Sequence, residues 1–393
     1  MVSKFWHIQG GVEVHLRELA SSLVSEGASV SVFSSEDMEG PDAPGFDSSA
    51  SDLGGKISSI RSLIWNRYAR EKLRDRVSKF QPDIVHYHSI YHQLSPSVLG
   101  VADVPSVMTL HDFKLVAPCY TLVRDGAACT RCVTSSTNFD AVRFRCIKNS
   151  IFASAVCASE TAMFLPHYVS RVNRFIVPSN YSKQILTSGG LPVEKISVIP
   201  WGMAELPAGS DHLGLGSRGR YWIFTGRLHP AKGVEQLLDA WQGFPKPEDL
   251  RLLLAGDGEL APVVRARASS DSSIVALGHL ERTDLNKLIR GAEYCLIPSI
   301  QPETMGLSAI ESLQAGTPLI SSGAGALDDL NGPGVLNIGT DTSRWIDKLK
   351  PLAFDPGCGT TSRHELRTRD LSRFELGRMR DGILSVYKQV LDA

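Results

Sequence analysis

The sequence has no long uninterrupted apolar run. A membrane-spanning helix needs about 18–20 such residues, so no transmembrane segment is expected. The first residues also lack the apolar core of a secretory signal peptide. Neither sign of charge dominates, because 41 basic side chains are balanced by 42 acidic ones, and this excludes an overall nucleic-acid-binding character. Cysteine is scarce and odd in number, at seven, which favours a reducing, cytoplasmic compartment.

The composition that remains is that of a globular protein. Hydrophobic residues make up 42% of the 393 residues and charged residues 21%, which excludes a disordered, collagen-like or fibrous chain. At about 150 residues per domain, the length predicts two or three domains, or one very large one.

Short apolar runs alternate with amphipathic stretches along most of the chain. The predicted strands are 30–33, 84–86, 106–110, 174–177, 196–199, 221–225, 250–255 and 293–298. Helical spacing is found in 13–26, 182–189, 233–242, 283–291 and 373–391. This alternation predicts an α/β fold with parallel sheets and helices on both faces.

Two segments interrupt this pattern, 201–220 and 119–172, and five of the seven cysteines lie within 119–157. Segment 201–220 is rich in glycine, proline and serine, and it predicts a linker between halves of comparable size. Only nine residues precede Gly10-Gly11, and residues 1–4 carry no apolar run. The first strand of the N-terminal half is therefore expected to be either short or missing.

Two glycine-containing segments are candidates for phosphate binding. Gly10-Gly11 precedes a predicted helix, so backbone N–H groups and the helix N-terminus could approach an anion; a tight turn is the alternative. Gly226-Arg227 ends a predicted strand, and Lys232 follows five residues after the arginine. This basic pair suits a diphosphate, whereas the alternative is a solvated pair on a loop.

Glu303 and Glu311 are candidates for contacts to sugar hydroxyl groups. A helix is predicted to start near Gly306, which places Glu311 inside the helix and Glu303 on the loop before it. Carboxylates are good acceptors for vicinal hydroxyl groups. The alternative for Glu311 is a surface position, although this helix is apolar nearly all round.

Several histidines and cysteines have spacings that raise other hypotheses. His111 follows a predicted strand, where it is either a cleft residue or a packing residue. His86, His88 and His92 follow another strand end, but no carboxylate has a spacing that would complete a metal site. Four cysteines form a C-x9-C-x2-C-x13-C pattern that suggests a zinc knuckle, with buried thiols or a redox-labile pair as the alternative: Cys119, Cys129, Cys132 and Cys146.

Segment 56–79 is strongly basic and carries apolar residues between its charges. It has eight basic residues against two acidic ones: Lys56, Arg61, Arg67, Arg70, Lys72, Arg74, Arg76, Lys79, and Glu71 and Asp75. The pattern is typical of an interfacial helix on anionic lipid, and equally of a solvated helix face.

Taken together, the motifs resemble those of the family 4 retaining glycosyltransferases over almost the whole chain. The motifs are GGVE (10–13), PDIVHYHS (82–89), TLHDF (109–113), FIVPSNYSKQIL (175–186), VIPWGM (198–203), FTGRLHPAKG (224–233), LLLAGDGEL (252–260), VALGHL (275–280) and PETMGLSAIESLQAGTP (302–318). Segment 111–160 is similar to a cysteine-bearing subgroup common in bacterial polysaccharide assembly.

The resemblance implies a GT-B fold, in which two Rossmann-like domains face each other across a cleft and the last helix crosses back to the N-terminal domain. It implies the following domains: an acceptor-binding domain at 1–200, a linker at 201–220, a nucleotide-sugar-binding domain at 221–372 and the crossover helix at 373–393.

The resemblance also implies residue roles. Arg227 and Lys232 match the basic pair on the donor diphosphate, Glu303 the residue that holds the transferred sugar, Glu311 the residue that holds the ribose, and His111 the histidine beside the reacting sugar. The remaining implied donor contacts come from backbone groups or glycine loops: Gly10, Gly11, Gly226, Met305, Gly306 and Leu307.

The implied activity is transfer of a sugar from a nucleotide-sugar substrate to a glycan or polyprenyl-linked acceptor, with retention and without a metal or other cofactor. It implies a role in cell-envelope polysaccharide synthesis and a cytoplasmic location, peripheral on the inner face of the membrane. Two rival hypotheses are a nucleotide-sugar epimerase or hydrolase on the same fold, and a truncated, non-catalytic nucleotide-binding protein.

Overall fold

A computed structural model describes residues 1–6, 10–35, 46–47, 64–91, 94–101, 103–135, 137–204 and 219–393. The chain divides into two compact units. The first unit comprises Met1–Tyr120, Thr130–Ala204 and Arg373–Ala393, and the second comprises Thr121–Cys129 and Glu205–Ser372. Most of the predicted linker, 205–218, lies outside the described residues.

The eight predicted strands are all present, with ends that differ from the predicted ones by at most two residues, and the described residues contain six further strands. In chain order the strands are β1 (Val30–Ser31), β2 (Phe46–Asp47), β3 (Val85–Tyr87), β4 (Ser106–Thr109), β5 (Val123–Arg124), β6 (Ala127–Ala128), β7 (Arg174–Val177), β8 (Ile196–Val198), β9 (Arg220–Thr225), β10 (Leu250–Ala255), β11 (Ile274–Gly278), β12 (Tyr294–Ile297), β13 (Leu319–Ser321) and β14 (Val335–Asn337). β7 and β10 have the predicted bounds.

The helices follow the apolar periodicity. They are α1 (Gly11–Ser25), α2 (Arg67–Phe80), α3 (Arg131–Thr134), α4 (Phe139–Arg143), α5 (Ile151–Arg171), α6 (Asn180–Ser188), α7 (Val234–Gln242), α8 (Ala261–Ser270), α9 (Arg282–Gly291), α10 (Leu307–Gln314), α11 (Thr342–Phe354), α12 (Pro356–Leu366) and α13 (Leu376–Leu391). No helix in the described part of the chain is both long and apolar enough to cross a membrane.

Each unit is built on a parallel sheet. The first unit has strands in the order β3-β4-β7-β8, with β1 paired to β2 beside them. The second unit has a six-stranded sheet in the order β11-β10-β9-β12-β13-β14. The small hairpin β5-β6 is antiparallel. Parallel strands joined through helices confirm the predicted α/β class.

The position expected for a first strand is taken by residues 1–4. The Val2 N–H donates to the His86 carbonyl and the His88 N–H donates to the Val2 carbonyl, both at 2.8 Å. On the other side, the Ser3 N–H donates to the Phe33 carbonyl at 3.0 Å. This short segment therefore lies between β3 and the residues that follow β1, and it bridges to both.

The last helix belongs to the first unit. α13 buries Met379, Ile383 and Val386, and its Tyr387 hydroxyl lies 2.6 Å from His86 Nδ1. The chain thus returns to the N-terminal unit after completing the second sheet.

Candidate functional site

The sheet of the second unit has a change of direction between β9 and β12. From β9 the chain moves outward through β10 and β11, and then returns to place β12 on the other side of β9. Loops that follow the two strands diverge at such a point and leave a crevice at the carboxyl edge of the sheet. The predicted basic pair follows β9, and the predicted glutamate follows β12.

Lys232 and Glu303 meet at this edge. The Lys232 Nζ lies 2.6 Å from Glu303 Oε1, and the Ser299 hydroxyl donates to the same oxygen at 2.6 Å. The other carboxylate oxygen, Oε2, has a longer contact of 3.4 Å to Gln301 Nε2. The Glu303 side chain is 10% exposed and that of Lys232 28%. One carboxylate oxygen is thus engaged twice, whereas the other retains capacity to accept hydrogen bonds.

The carboxylate of Glu303 is ionised at neutral pH. Burial raises its pKa, but the adjacent Lys232 ammonium and the hydrogen bonds from Lys232 and Ser299 outweigh burial and hold the pKa below its usual value. The site therefore contains a fixed negative charge that can only accept hydrogen bonds.

Close backbone packing sets the position of Lys232. It ends a short 3-10 turn, and the Ala231 carbonyl of that turn accepts hydrogen bonds from the backbone N–H groups of Ile300 and Gln301. Gly233 follows with φ of 71°, and a Cβ there would lie 2.1 Å from the Pro298 carbonyl oxygen. Glycine is required because the turn after β9 lies against the loop after β12.

Arg227 lies on the loop just after β9, and its side chain is exposed. A second glycine loop supports this segment: the Gly226 N–H donates to the Ala255 carbonyl, and a Cβ on Gly256 would lie 1.8 Å from the Gly226 oxygen. The guanidinium is accordingly carried on a packed backbone but remains open to solvent.

The predicted phosphate-binding helix begins where expected. Gly306 precedes α10, whose first residue is Leu307, so the N–H groups at this end have no acceptor within the helix. Met305 is buried, and Glu311 lies inside the helix with a half-buried side chain. The backbone of Glu303 pairs with the opposite loop through Ala324 and Ala326.

The first unit has a similar reversal between residues 1–4 and β3. Gly10 and Gly11 begin α1 at this edge, and Gly10 has φ of −179°, an extended conformation that any residue adopts. The tight turn considered as an alternative for Gly10 is therefore not what places a glycine there.

Three histidines converge at the same edge of the first unit. His88 follows β3, His111 follows β4, and His15 lies on α1. His88 Nδ1 is 3.0 Å from His111 Nε2. The ring of His15 packs edge-on to that of His111, with centroids 5.2 Å apart, and the Trp201 ring lies beside both. All three histidines are buried.

Burial also sets the protonation state of these histidines. It lowers the pKa of His15 to about 3 and those of His88 and His111 well below the usual value, with neighbouring histidines adding to the latter two. The cluster is therefore neutral at physiological pH.

The two metal sites that the sequence suggested, one of histidines and one of cysteines, are not supported. The His86 ring packs against that of His88, but both of its ring nitrogens are hydrogen-bonded, to Tyr387 and to Thr109. His92 lies outside the described residues. Among described residues the one set with metal-ligand spacing is the three-histidine cluster, and the cysteines are absent from it. Within the first unit, Cys119, Cys132 and Cys146 do not form a ligand set, and no disulfide joins any of the seven cysteines.

The basic segment proves to be partly internal. Residues 56–63 lie outside the described part, and α2 buries Leu73 in the first unit. Arg70 also points inward, donating to the Ser97 carbonyl at 2.7 Å. Trp65 and Tyr68 remain exposed, by 37% and 47%. An interfacial role therefore cannot use the whole apolar stripe that the sequence suggested.

Sequence reasoning missed four residues that shape these sites: Ser299, Gln301, His15 and Trp201. Ser299 had a usable signal, because it follows a predicted strand at the edge where ligands bind. His15 had none, since its partners are more than 70 residues away in the sequence.

The two halves of the chain match known protein families. The profile described as Glycosyltransferase Family 4 matches residues 9–204, and the one described as Glycosyl transferases group 1 matches residues 219–353. The chain belongs to the family 4 glycosyltransferases. Relatives of this glycosyltransferase include an uncharacterized glycosyltransferase of Methanocaldococcus jannaschii, 23% identical over 87% of this chain and 85% of the relative. Another is a D-inositol 3-phosphate glycosyltransferase of Arthrobacter, 23% identical over 88% and 82%.

Solved structures have the same fold. Sucrose-phosphate synthase from Thermosynechococcus elongatus has a TM-score of 0.74 at 19% identity, covering 98% of this chain and 94% of its own. HepE of Anabaena, solved with UDP and glucose, has a TM-score of 0.70 at 16% identity, covering 99% and 98%. At these identities the likeness establishes the GT-B architecture alone.

Proposed function

We propose that this glycosyltransferase transfers a sugar from a nucleoside diphosphate sugar to an acceptor hydroxyl, with retention of configuration and without a metal ion. The observation that carries the proposal is the Lys232–Glu303 pair at the strand reversal of the second unit, with Arg227 on the adjoining loop. A cation and a carboxylate side by side match a donor that has a phosphate end and a hydroxyl-bearing end.

The roles divide by chemistry. Lys232 has three N–H donors, of which one engages Glu303, so two remain for the diphosphate, and Arg227 adds a planar, always charged group. Glu303 accepts from the transferred sugar through Oε2, the less engaged oxygen. Glu311 accepts from the ribose hydroxyls, and the N–H groups of Met305, Gly306 and Leu307 donate to the phosphates. The Gly226 N–H already donates to the Ala255 carbonyl, so Gly226 contributes by allowing the phosphates to approach the backbone closely. The Gly10-Gly11 loop stays a predicted phosphate contact of the first unit.

The reaction follows from these assignments. The bond between the sugar and the diphosphate breaks, the acceptor oxygen attacks from the same face, and a donor phosphate oxygen takes the acceptor proton. Arg227 and Lys232 stabilise the charge that develops on the departing diphosphate. His111 stays a predicted catalytic residue of the first unit.

A thermal-shift panel tests the donor assignment. UDP, GDP, ADP and CMP are each added with and without EDTA, and UDP is the first candidate because HepE was solved with it. A shift with one nucleoside diphosphate that survives EDTA supports the proposal. No shift with any nucleotide, or a shift abolished by EDTA, contradicts it.

The acceptor is proposed to be a glycan or a polyprenyl-linked sugar of the cell envelope. Donor consumption that requires such an acceptor, with a product of unchanged anomeric configuration by NMR, supports transfer. Sugar release or rearrangement without an acceptor would instead favour the hydrolase or epimerase hypothesis, and nucleotide binding without turnover the non-catalytic one.

A peripheral membrane location is a second part of the proposal. It is supported by exposed Trp65 and Tyr68 beside the exposed basic residues Arg67, Arg74 and Lys79. Co-sedimentation with vesicles containing an anionic lipid, but not with neutral vesicles, is expected. Equal recovery in both supernatants contradicts it.

A further inference from the structure

The three-histidine cluster has the geometry of a metal site. One ring nitrogen from each of His15, His88 and His111 lies within 4.8 Å of the others. The distance between His88 Nδ1 and His111 Nε2 is 3.0 Å. Zinc–nitrogen bonds of about 2.0–2.1 Å in tetrahedral geometry place two ligand nitrogens roughly 3.3 Å apart. Small side-chain rotations would therefore bring all three nitrogens into coordination.

The hydrogen-bonding state of the cluster points to a ligand. Within the described residues, neither ring nitrogen of His15 has a hydrogen-bond partner, and neither does His88 Nε2. His15 is 3% exposed and His88 is fully buried. A buried polar group without a partner destabilises the folded protein, and coordination of a cation would remove this cost for a ligating nitrogen.

The donor set selects the class of ion. All the ligands are neutral imidazoles, and no carboxylate or thiolate belongs to the set. Imidazole favours Zn²⁺, Cu²⁺ and Ni²⁺, whereas Mg²⁺, Ca²⁺ and Mn²⁺ prefer oxygen ligands.

We propose that His15, His88 and His111 bind a divalent transition-metal ion, with Zn²⁺ as the representative ion. Three protein ligands leave at least one position for water or for an anionic oxygen. The site is not a cofactor site for the transfer proposed above, which needs no metal.

The test measures metal binding to the full chain without nucleotide or acceptor. The protein is stripped with EDTA, freed of chelator, and titrated with Zn²⁺ by calorimetry and with Co²⁺ by absorption spectroscopy. We expect one ion per chain, a tetrahedral or five-coordinate cobalt spectrum without thiolate charge-transfer bands, and no binding of Mg²⁺. The result does not depend on whether the chain transfers a sugar.

Variants separate this site from adventitious ones. His88→Ala and His15→Leu are expected to weaken binding by more than about 100-fold, because loss of even an outer-shell partner costs 10–100-fold. Two controls should bind as wild type: His279→Ala, at an exposed histidine, and the double variant Cys129→Ser with Cys132→Ser. Thermal unfolding of each variant checks folding, and either histidine variant alone suffices if the other is unfolded.

Three outcomes overturn the proposal. They are no measurable Zn²⁺ binding, unchanged affinity and stoichiometry in a folded histidine variant, and a cobalt spectrum with thiolate bands that disappear in the cysteine variant.

Discussion

Single side chains at the proposed donor site work through partners that are distant in sequence. Lys232 and Glu303 are 71 residues apart and yet form a contact of 2.6 Å. Ser299, next to the end of β12, donates to the same carboxylate oxygen. Two neighbours thus set the chemistry of Glu303. Lys232 supplies a positive charge beside the carboxylate, and Ser299 supplies a hydrogen bond that orients it.

Glu303→Gln removes the charge and preserves the shape. Because the neutral amide is a weaker acceptor for sugar hydroxyls, we expect the rate of transfer to fall by roughly 10²–10³-fold. Losses of about this size are found when an enzyme loses one hydrogen bond that stabilises its transition state. Affinity for the nucleoside diphosphate should change little. Steady-state kinetics and calorimetry measure the two effects, and Glu259→Gln, at an exposed position, is the matched control. Wild-type turnover in Glu303→Gln would contradict the role assigned to Glu303.

Arg227→Ala removes the exposed cation beside the proposed diphosphate. A hydrogen bond to a charged group contributes about 1.5–3 kcal/mol, so we expect the Kd for the nucleoside diphosphate to rise by roughly 10–100-fold. Affinity for the nucleoside alone should not change. Arg265→Ala, at an exposed site on α8, serves as control. Equal diphosphate affinity in both variants would place the donor site elsewhere.

The Glu303 carboxylate also makes stability depend on pH. Its pKa is lowered from 4.5 in the folded protein, so its contribution is present above about pH 4.5 and is lost as the pH falls through the folded value. The difference in free energy of unfolding between wild type and Glu303→Gln should therefore be larger at pH 7 than at pH 3.5. Urea unfolding at several pH values measures this difference in stability between the two proteins. A difference that is constant, or that grows as the pH is lowered, contradicts the assigned ionisation of Glu303.

At the scale of elements, the loops after parallel strands set the geometry of the site. The turn after β9 and the loop after β12 are joined through the Ala231 carbonyl and lie in close contact at Gly233. The sheet order makes β9 and β12 neighbours, and so their carboxyl ends form a single edge.

Two glycines with nearly the same backbone conformation test this contact. Gly233 and Gly278 have φ of 71° and 69°, but an added Cβ meets the Pro298 oxygen at 2.1 Å in the first case and nothing within 4 Å in the second. We expect Gly278→Ala to lower the free energy of unfolding by about 1 kcal/mol through backbone strain alone. Gly233→Ala should lower it by at least about 1 kcal/mol more, because the added Cβ also clashes with the Pro298 oxygen. Denaturant unfolding compares them directly.

The same pair has a functional readout. Displacement of the turn moves Lys232, so nucleoside diphosphate affinity should fall in Gly233→Ala and stay unchanged in Gly278→Ala. Equal stability and equal affinity in the two variants would show that the close approach does not position the lysine.

At the scale of the whole molecule, the last helix completes the first unit. α13 packs there through buried Ile383, whereas Leu391 on the same helix is 48% exposed. We expect Ile383→Ala to destabilise the first unit by about 2–5 kcal/mol and Leu391→Ala by less than about 1 kcal/mol. Hydrogen exchange read by mass spectrometry assigns the loss of protection to a unit.

The pattern of exchange decides the outcome. Protection should fall in peptides of 1–120 and 130–204 and persist in those of 219–372. Protection lost first from the second unit would contradict the assignment of this helix.

The division between sequence and tertiary structure follows from the range of the interactions. Alternating apolar runs determined the α/β class and the positions of β7 and β10, because periodicity depends on neighbours a few residues apart. Motif order indicated the family. Strand ends indicated Arg227, Lys232 and His111 as candidate site residues, and the start of a predicted helix indicated Glu303. These signals are local, so they survive in a single sequence.

Other features required the folded chain. The pairing of residues 1–4 between β1 and β3, the Lys232–Glu303–Ser299 contact and the convergence of His15 with His88 and His111 depend on sheet order and on burial. Sheet order is decided by which apolar faces pack together over the whole chain, and no local pattern encodes it. Burial then sets the histidine pKa values, because desolvation exists only once the surrounding residues are in place.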